Sequence, residues 1–202
     1  MAGGGFYGKL PSEGDFVTRR LPWEFTSVWD DWLQRGMQAS REALGERWLE
    51  LYLSAPIWRF QVAPGVCGPI GWRGLFFASV DRVGRYFPLT LAFADPGPVA
   101  LATLSGESEA WMAVEDAALA GLAPTLAVAD FDRMMESLAL PPAAAAADPA
   151  RPRVCFHTDG SENVPARGLA FAALPPPAIF VDMIAPAAPA APPAATSLTD
   201  LL

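Results

Sequence analysis

Histidine and cysteine are nearly missing from this chain: its 202 residues include one His (His157) and two Cys (Cys67 and Cys155). Three such side chains cannot complete the four-ligand nitrogen and sulfur shell of a structural zinc site, and two cysteines make no disulfide framework. Both cysteines are expected to be ordinary small apolar residues, and no metal or cofactor is expected. Lysine is as rare as histidine, since Lys9 is the only one and the other thirteen basic residues are Arg. Such a bias can mark bidentate anion contacts, but beside heavy Ala and Pro use, GC-rich codons explain it more simply. No apolar run approaches the ~20 residues that span a bilayer, and the Gly-rich N-terminus lacks the basic-then-apolar order of a signal peptide. A soluble cytoplasmic protein without membrane insertion is expected.

Just over half of the residues are apolar, with seven Trp and twelve Phe, enough for the core of one ordinary domain. Residues 1–94 carry ten basic and nine acidic side chains, while residues 95–202 carry four and thirteen, so the net charge of −8 is concentrated in the second half. An acidic chain without a basic stripe excludes nucleic acid as an expected partner, because neutralising phosphates supplies most of that affinity.

Apolar spacing places the elements. Phe25, Val28, Trp29, Trp32, Leu33, Met37 and Leu44 follow helical periodicity after Pro22, which suits a first helical turn. Gly36 and Ser40 on the same face would admit a close neighbour. The tryptophans near this helix start are expected in the core. Phe16–Leu21 reads as a lead-in to the helix, and Glu46–Leu53 as a second, short one. Ile57–Ala63 alternates as a half-buried strand. Trp72–Val80 and Tyr86–Ala94 read as two further strands, with Pro88 suggesting an edge or a bulge. A helix from Ser105 or Ser108 to Leu122 is expected to turn Trp111, Met112, Ala118, Leu119 and Leu122 inward, with Glu107 and Glu109 in its first turn. Another helix is capped by Asp130. Late strands cover Arg153–Thr158 and Gly168–Leu174, and a short helix Ala178–Ile184. One domain over residues 1–184 is expected, with an Ala/Pro linker near 141–152 and a disordered Ala/Pro-rich tail over 185–202. Short connections between successive strands favour an α/β domain whose single sheet, antiparallel or mixed, is covered by helices.

No assembled catalytic kit is visible. Cys155 and His157, two apart on a strand, would hold their side chains ~7 Å apart, too far for the hydrogen bond between a nucleophile and its base. A carboxylate site on Asp15, Asp81 and Asp159 matches no spacing motif, and there is neither a GxSxG elbow nor a P-loop. Arg19-Arg20 reads as a solvated pair ahead of the helix. The stretch with more charge than its geometry needs is Ser79–Thr90, where Asp81, Arg82, Gly84 and Arg85 join two apolar strands. Asp81 can accept from Arg85 across the turn, with Gly84 at positive φ. Equally, at least one arginine can face outward to grip a partner, and the two can coexist.

Three segments in order resemble the TagF (ImpM) family of bacterial type VI secretion accessory proteins. They are Gly5-Phe6-Tyr7-Gly8-Lys9-Leu10-Pro11 with Gly14-Asp15-Phe16 and Arg19-Arg20-Leu21-Pro22; Trp29-Asp30-Asp31-Trp32-Leu33 with Trp48, Tyr52-Leu53 and Ala55-Pro56-Ile57-Trp58-Arg59-Phe60; and Ser79 through Thr90. The chain departs from the family pattern at Ala78, often a proline, and at Phe156-His157, usually a Trp pair. The resemblance implies a three-layer α/β/α sandwich with a central mixed, largely antiparallel sheet. It also implies a non-enzymatic, post-translational repressor of secretion that engages a forkhead-associated (Fha) scaffold protein. Asp15, Asp81, Arg82 and Arg85 are the candidate partner-binding residues. The alternatives are a hydrolase using Asp15 and Asp81, which would need the two carboxylates within ~4–6 Å so that each perturbs the other, and a structural subunit of the secretion apparatus.

Overall fold

The computed structural model describes residues 3–106, 108–140 and 152–185. Glu107, the expected tail beyond Ala185 and all but the last residue of the expected linker lie outside them. The elements are β1 (Gly5–Lys9), β2 (Phe16–Arg19), α1 (Trp23–Leu44), α2 (Trp48–Leu53), β3 (Trp58–Val62), β4 (Trp72–Phe77), β5 (Leu89–Ala94), α3 (Glu109–Ala120), α4 (Val128–Ser137), β6 (Val154–Thr158), β7 (Arg167–Phe171) and α5 (Ala178–Ile184). The strands form one sheet in the order β2-β1-β5-β4-β3-β6-β7. Every pairing is antiparallel, so the mixed component expected from the resemblance is absent among the described strands. β3, β4 and β5 form a meander, and the hairpins β1–β2 and β6–β7 flank it. No helical crossover joins parallel neighbours.

Alternation along the strands divides the core into two apolar clusters, one on each face of the sheet. The first packs Trp29, Trp32 and Phe25 of α1 and Phe180 of α5 on Trp58, Phe60, Trp72, Phe76 and Phe156. Trp29 meets Phe60 at 4.4 Å and Trp32 stacks on Phe156 at 5.4 Å between ring centroids. Three buried indoles of this cluster find acceptors for their N–H groups: Trp29 donates to Thr90 Oγ1 (3.0 Å), Trp32 to the Pro175 carbonyl (3.0 Å) and Trp58 to the Met183 carbonyl (2.9 Å), while the Trp72 indole N–H has no hydrogen-bond partner among the described residues. The second cluster sets Trp111, Val114, Phe131 and Met135 of α3 and α4 against Phe6, Leu75, Leu91, Phe93 and Cys155.

Several local expectations need correction. Phe16–Arg19 is the edge strand β2 rather than a lead-in. It is four residues long with only Val17 buried, too short to show a period. All five residues of β3 are buried, not half of them. Arg59 and Gln61 lie under the α3 side because hydrogen bonds satisfy them there. Arg59 donates to Glu115 (2.7 Å) and to the Leu104 and Gly106 carbonyls (3.0 Å each). Gln61 accepts from Thr103 (2.7 Å) and Ala100 (3.1 Å). β5 is central, not an edge, and Pro88 stands just before its first residue, where the missing N–H costs no ladder bond. Of the two expected starts of α3, Ser108 is the one that caps it, but Met112 (49% exposed) and Leu119 (56%) face out while Val114 and Ala117 take the inward positions. The cap of α4 is Ala127, and Asp130 lies in the first turn. Trp23 is 77% exposed, unlike the other helix-start tryptophans.

The small face of α1 is used as expected: a Cβ at Gly36 would stand 2.6 Å from the Phe180 ring. Gly36→Leu should therefore overpack the α1–α5 contact and cost about 1–3 kcal/mol, read from the urea midpoint at constant m-value.

Candidate functional site

The Ser79–Thr90 connection joins β4 to β5 and is organised by a carboxylate. Asp81 is 3% exposed. Its Oδ2 accepts from Lys9 Nζ at 2.6 Å and from Arg85 Nε at 2.7 Å. Its Oδ1 accepts from the backbone N–H groups of Val83 (3.0 Å) and Arg85 (2.9 Å). Burial alone would raise the carboxyl pKa. The hydrogen bonds from Lys9, from the Arg85 amide and side chain, and from the Val83 amide outweigh it and hold Asp81 well below the usual carboxylate range. The backbone closes the same turn: Asp81 donates to the Arg85 carbonyl (3.1 Å) and Gly84 to the Asp81 carbonyl (3.0 Å). Gly84 sits at φ 86°, a conformation glycine adopts without a Cβ penalty.

Neighbouring elements grip this turn from three sides. β1 delivers Lys9 at its last position, and the Lys9 carbonyl accepts from Ser79 Oγ at 2.7 Å. α2 supplies Tyr52, whose hydroxyl contacts both the carbonyl and the N–H of Ser79 at 3.0 Å. The loop between β1 and β2 supplies the Glu13 carbonyl to the Arg82 N–H (2.8 Å) and the Gly14 carbonyl to the Arg85 guanidinium. The ammonium of Lys9 also lies 4.3 Å from the Phe16 ring centre. Beyond the turn, Tyr86 and Phe87 line a groove of about 560 Å³ with Met37, Gln38 and Arg41 of α1.

Of the four candidate residues, Asp81 and Arg85 form one network, and Arg82 stands beside it. Arg82 is exposed, with its guanidinium beside Gly14 of the β1–β2 loop and no hydrogen bond or ion pair to it among the described residues. Val83, 65% exposed, completes the outer face of the turn. Arg85 thus faces inward, with its side chain still 57% exposed, and Arg82 faces outward. Asp15 is exposed on the adjoining loop, where its Oδ1 accepts from the Phe16 N–H at 2.8 Å. Asp159 belongs elsewhere: it meets Arg59 at 3.2 Å and His157 at 3.0 Å. The Cys155 thiol is buried in the second cluster and pushed up to about 11, the opposite of an activated nucleophile. Among the described residues no group of three or more His, Cys, Asp or Glu is placed to hold a metal ion. Arg20 is not solvated: it binds Asp132 at 2.5 Å and the Gly4 carbonyl at 2.9 Å.

The residues that sequence reasoning missed are Lys9, Tyr52 and Ser79. A sole lysine at the end of an apolar strand is the available signal, since a lone cation there needs a counter-charge.

The model of the TagF N-terminal domain, type VI secretion system-associated, matches residues 5–138. The chain belongs to that family. It is also similar to the crystal structure of PA0076 from Pseudomonas aeruginosa PAO1, with a TM-score of 0.80 and 34% identity over 94% of this chain and 97% of that one. No curated protein matches the chain.

Because Asp81 has a lowered pKa in the fold, its ionised form stabilises the protein. That contribution is complete above the ordinary carboxylate value of about 3.9 and is lost as the pH falls below it toward the folded-state value. Asp81→Asn should lower the melting temperature at pH 7 by about 5–15 °C and flatten its decline below pH 4. Arg82→Ala should stay within about 2 °C of the unsubstituted protein. Thermal melts by circular dichroism over a pH series test both.

Proposed function

We propose that this protein is a non-enzymatic cytoplasmic regulator that represses type VI secretion post-translationally by binding a forkhead-associated scaffold protein. Membership of a type VI secretion-associated family supports the setting. The contact surface we assign is the outer face of the Ser79–Thr90 connection. One observation carries it: Arg82 and Val83 are exposed on a turn whose backbone is already held by Asp81 and Glu13 and whose Arg85 side chain is held by Asp81 and Gly14. A turn whose backbone is already fixed loses little backbone freedom on binding, and arginine is a frequent interface anchor. Two apolar clusters on opposite faces of the sheet support the three-layer α/β/α arrangement as the frame for this turn.

A structural role suits Asp81 better than catalysis or direct contact with a partner, because it is buried and both its oxygens are taken by cations and backbone amides. Among the described residues no helix is long and apolar enough to cross a membrane. Arg82→Glu should weaken capture of the forkhead-associated scaffold by about tenfold or more while the melt stays unchanged. Undiminished capture by Arg82→Glu, measured by calorimetry with purified partners, would remove the turn from the interface.

A further inference from the structure

Strand β2 ends the sheet, and its outward backbone groups are held by its own side chains. Ser79 bonds the Lys9 carbonyl from the β4–β5 side, so Lys9 and Tyr7 turn their backbone groups toward that side. Gly8 and Phe6 then bond Val17 and Arg19, which leaves Phe16 and Thr18 facing outward by alternation. Two contacts agree with this. The Phe16 N–H donates to the Asp15 carboxylate at 2.8 Å, and the Thr18 carbonyl accepts from the Arg19 guanidinium at 2.9 Å. Both caps come from exposed, flexible side chains and can be exchanged for backbone bonds without burying a charge.

We infer that β2 pairs antiparallel with β2 of a second copy of this chain, about a two-fold axis at Val17. That register sets Phe16 opposite Thr18 of the second copy, and both are outward-facing residues that can exchange N–H and C=O bonds. It also sets Asp15 opposite Arg19 of the second copy, twice by symmetry, so the carboxylate and guanidinium released from their caps meet each other. Shifting the axis by a whole residue keeps the hydrogen-bonding parity but separates Asp15 from Arg19: an axis on Thr18 sets them opposite Leu21 and Val17, and one on Phe16 sets Asp15 opposite Val17 and Arg19 opposite Glu13, which lies outside the strand.

Apolar surface lies where this pairing needs it. Phe16 is 42% exposed and Trp23 77% exposed. Beside Thr18 is a groove of about 440 Å³ lined by Tyr7, Leu21, Trp23, Ser27 and Asp30. Phe16 of the second copy, opposite Thr18, projects on the same face as that groove and meets Trp23 there. A four-residue pairing with two ring contacts makes a small, weak interface, so the association is concentration-dependent.

Sedimentation equilibrium of the full chain from ~1 to 500 μM tests this. The unsubstituted protein should show a reversible monomer–dimer equilibrium. Asp15→Arg alone and Arg19→Asp alone should each weaken it about tenfold or more, because like charges then oppose at both ends. An equimolar mixture of these two variants should associate as heterodimers about as tightly as the unsubstituted protein, since opposite charges again face each other. Trp23→Ser should weaken association without changing the melt. A protein that stays monomeric throughout overturns the inference, as does a mixture that fails to associate or a dimer indifferent to Asp15, Arg19 and Trp23. The measurement uses this protein alone, so its failure leaves the scaffold-binding proposal standing.

Discussion

A carboxylate removed from water among aromatic strands is unfavourable unless cations and amides replace the lost hydration. Asp81 meets that condition with Lys9, Arg85 and two backbone N–H groups. Four donors converge only if the end of β1, the turn itself and the loop ahead of β2 are all in place. The constraint therefore reaches well beyond one ion pair. It fixes how the β1–β2 hairpin sits against the β3–β5 meander, and through Tyr52 and Ser79 it fixes where α2 ends. The exposed Arg82 owes its position to these contacts although it makes none of them with its own side chain.

The opposite face of the sheet solves the same problem separately. Arg59 on β3 is buried and engages Glu115, Asp159 and two carbonyls, and it lies 5.0 Å from the Trp111 ring centre. Arg73 pairs with Asp95 under the same layer. Each apolar cluster is thus stitched to the sheet by charged side chains whose hydrogen bonds are directional, which restricts how helices can slide over apolar surface. Lys9 and Arg85 share Asp81 at one site, and Arg59 and Arg73 serve the other. The compact ammonium of Lys9 reaches a single oxygen, whereas the fork of Arg59 reaches four partners.

What could be read from residue order follows the range of the interactions. α1 was legible because seven apolar positions keep a helical period through its length. The Asp81–Arg85 contact was legible because the partners are four residues apart on a turn. The Lys9–Asp81 pair was not, since its members are separated by 72 residues and no local rule selects them. β2 was invisible because four residues with one buried side chain carry no period. The polar positions of β3 looked solvent-facing because alternation reports only which face a side chain takes, not whether other residues cover it. The family of the chain was legible from short strings in order, and the Ser79–Thr90 string among them encodes the turn that the structure ties most densely.

Six of the seven tryptophans are at most 8% exposed, and five of those donate their indole N–H to a carbonyl or hydroxyl. Trp23 alone stands in water, at the edge of the sheet. The emission of this protein therefore has two spatially distinct origins: a large, shielded component from the interior and a small one open to aqueous quenchers at a known boundary. The molecule carries its own optical label on the one edge where its strand order leaves β2 without a neighbour.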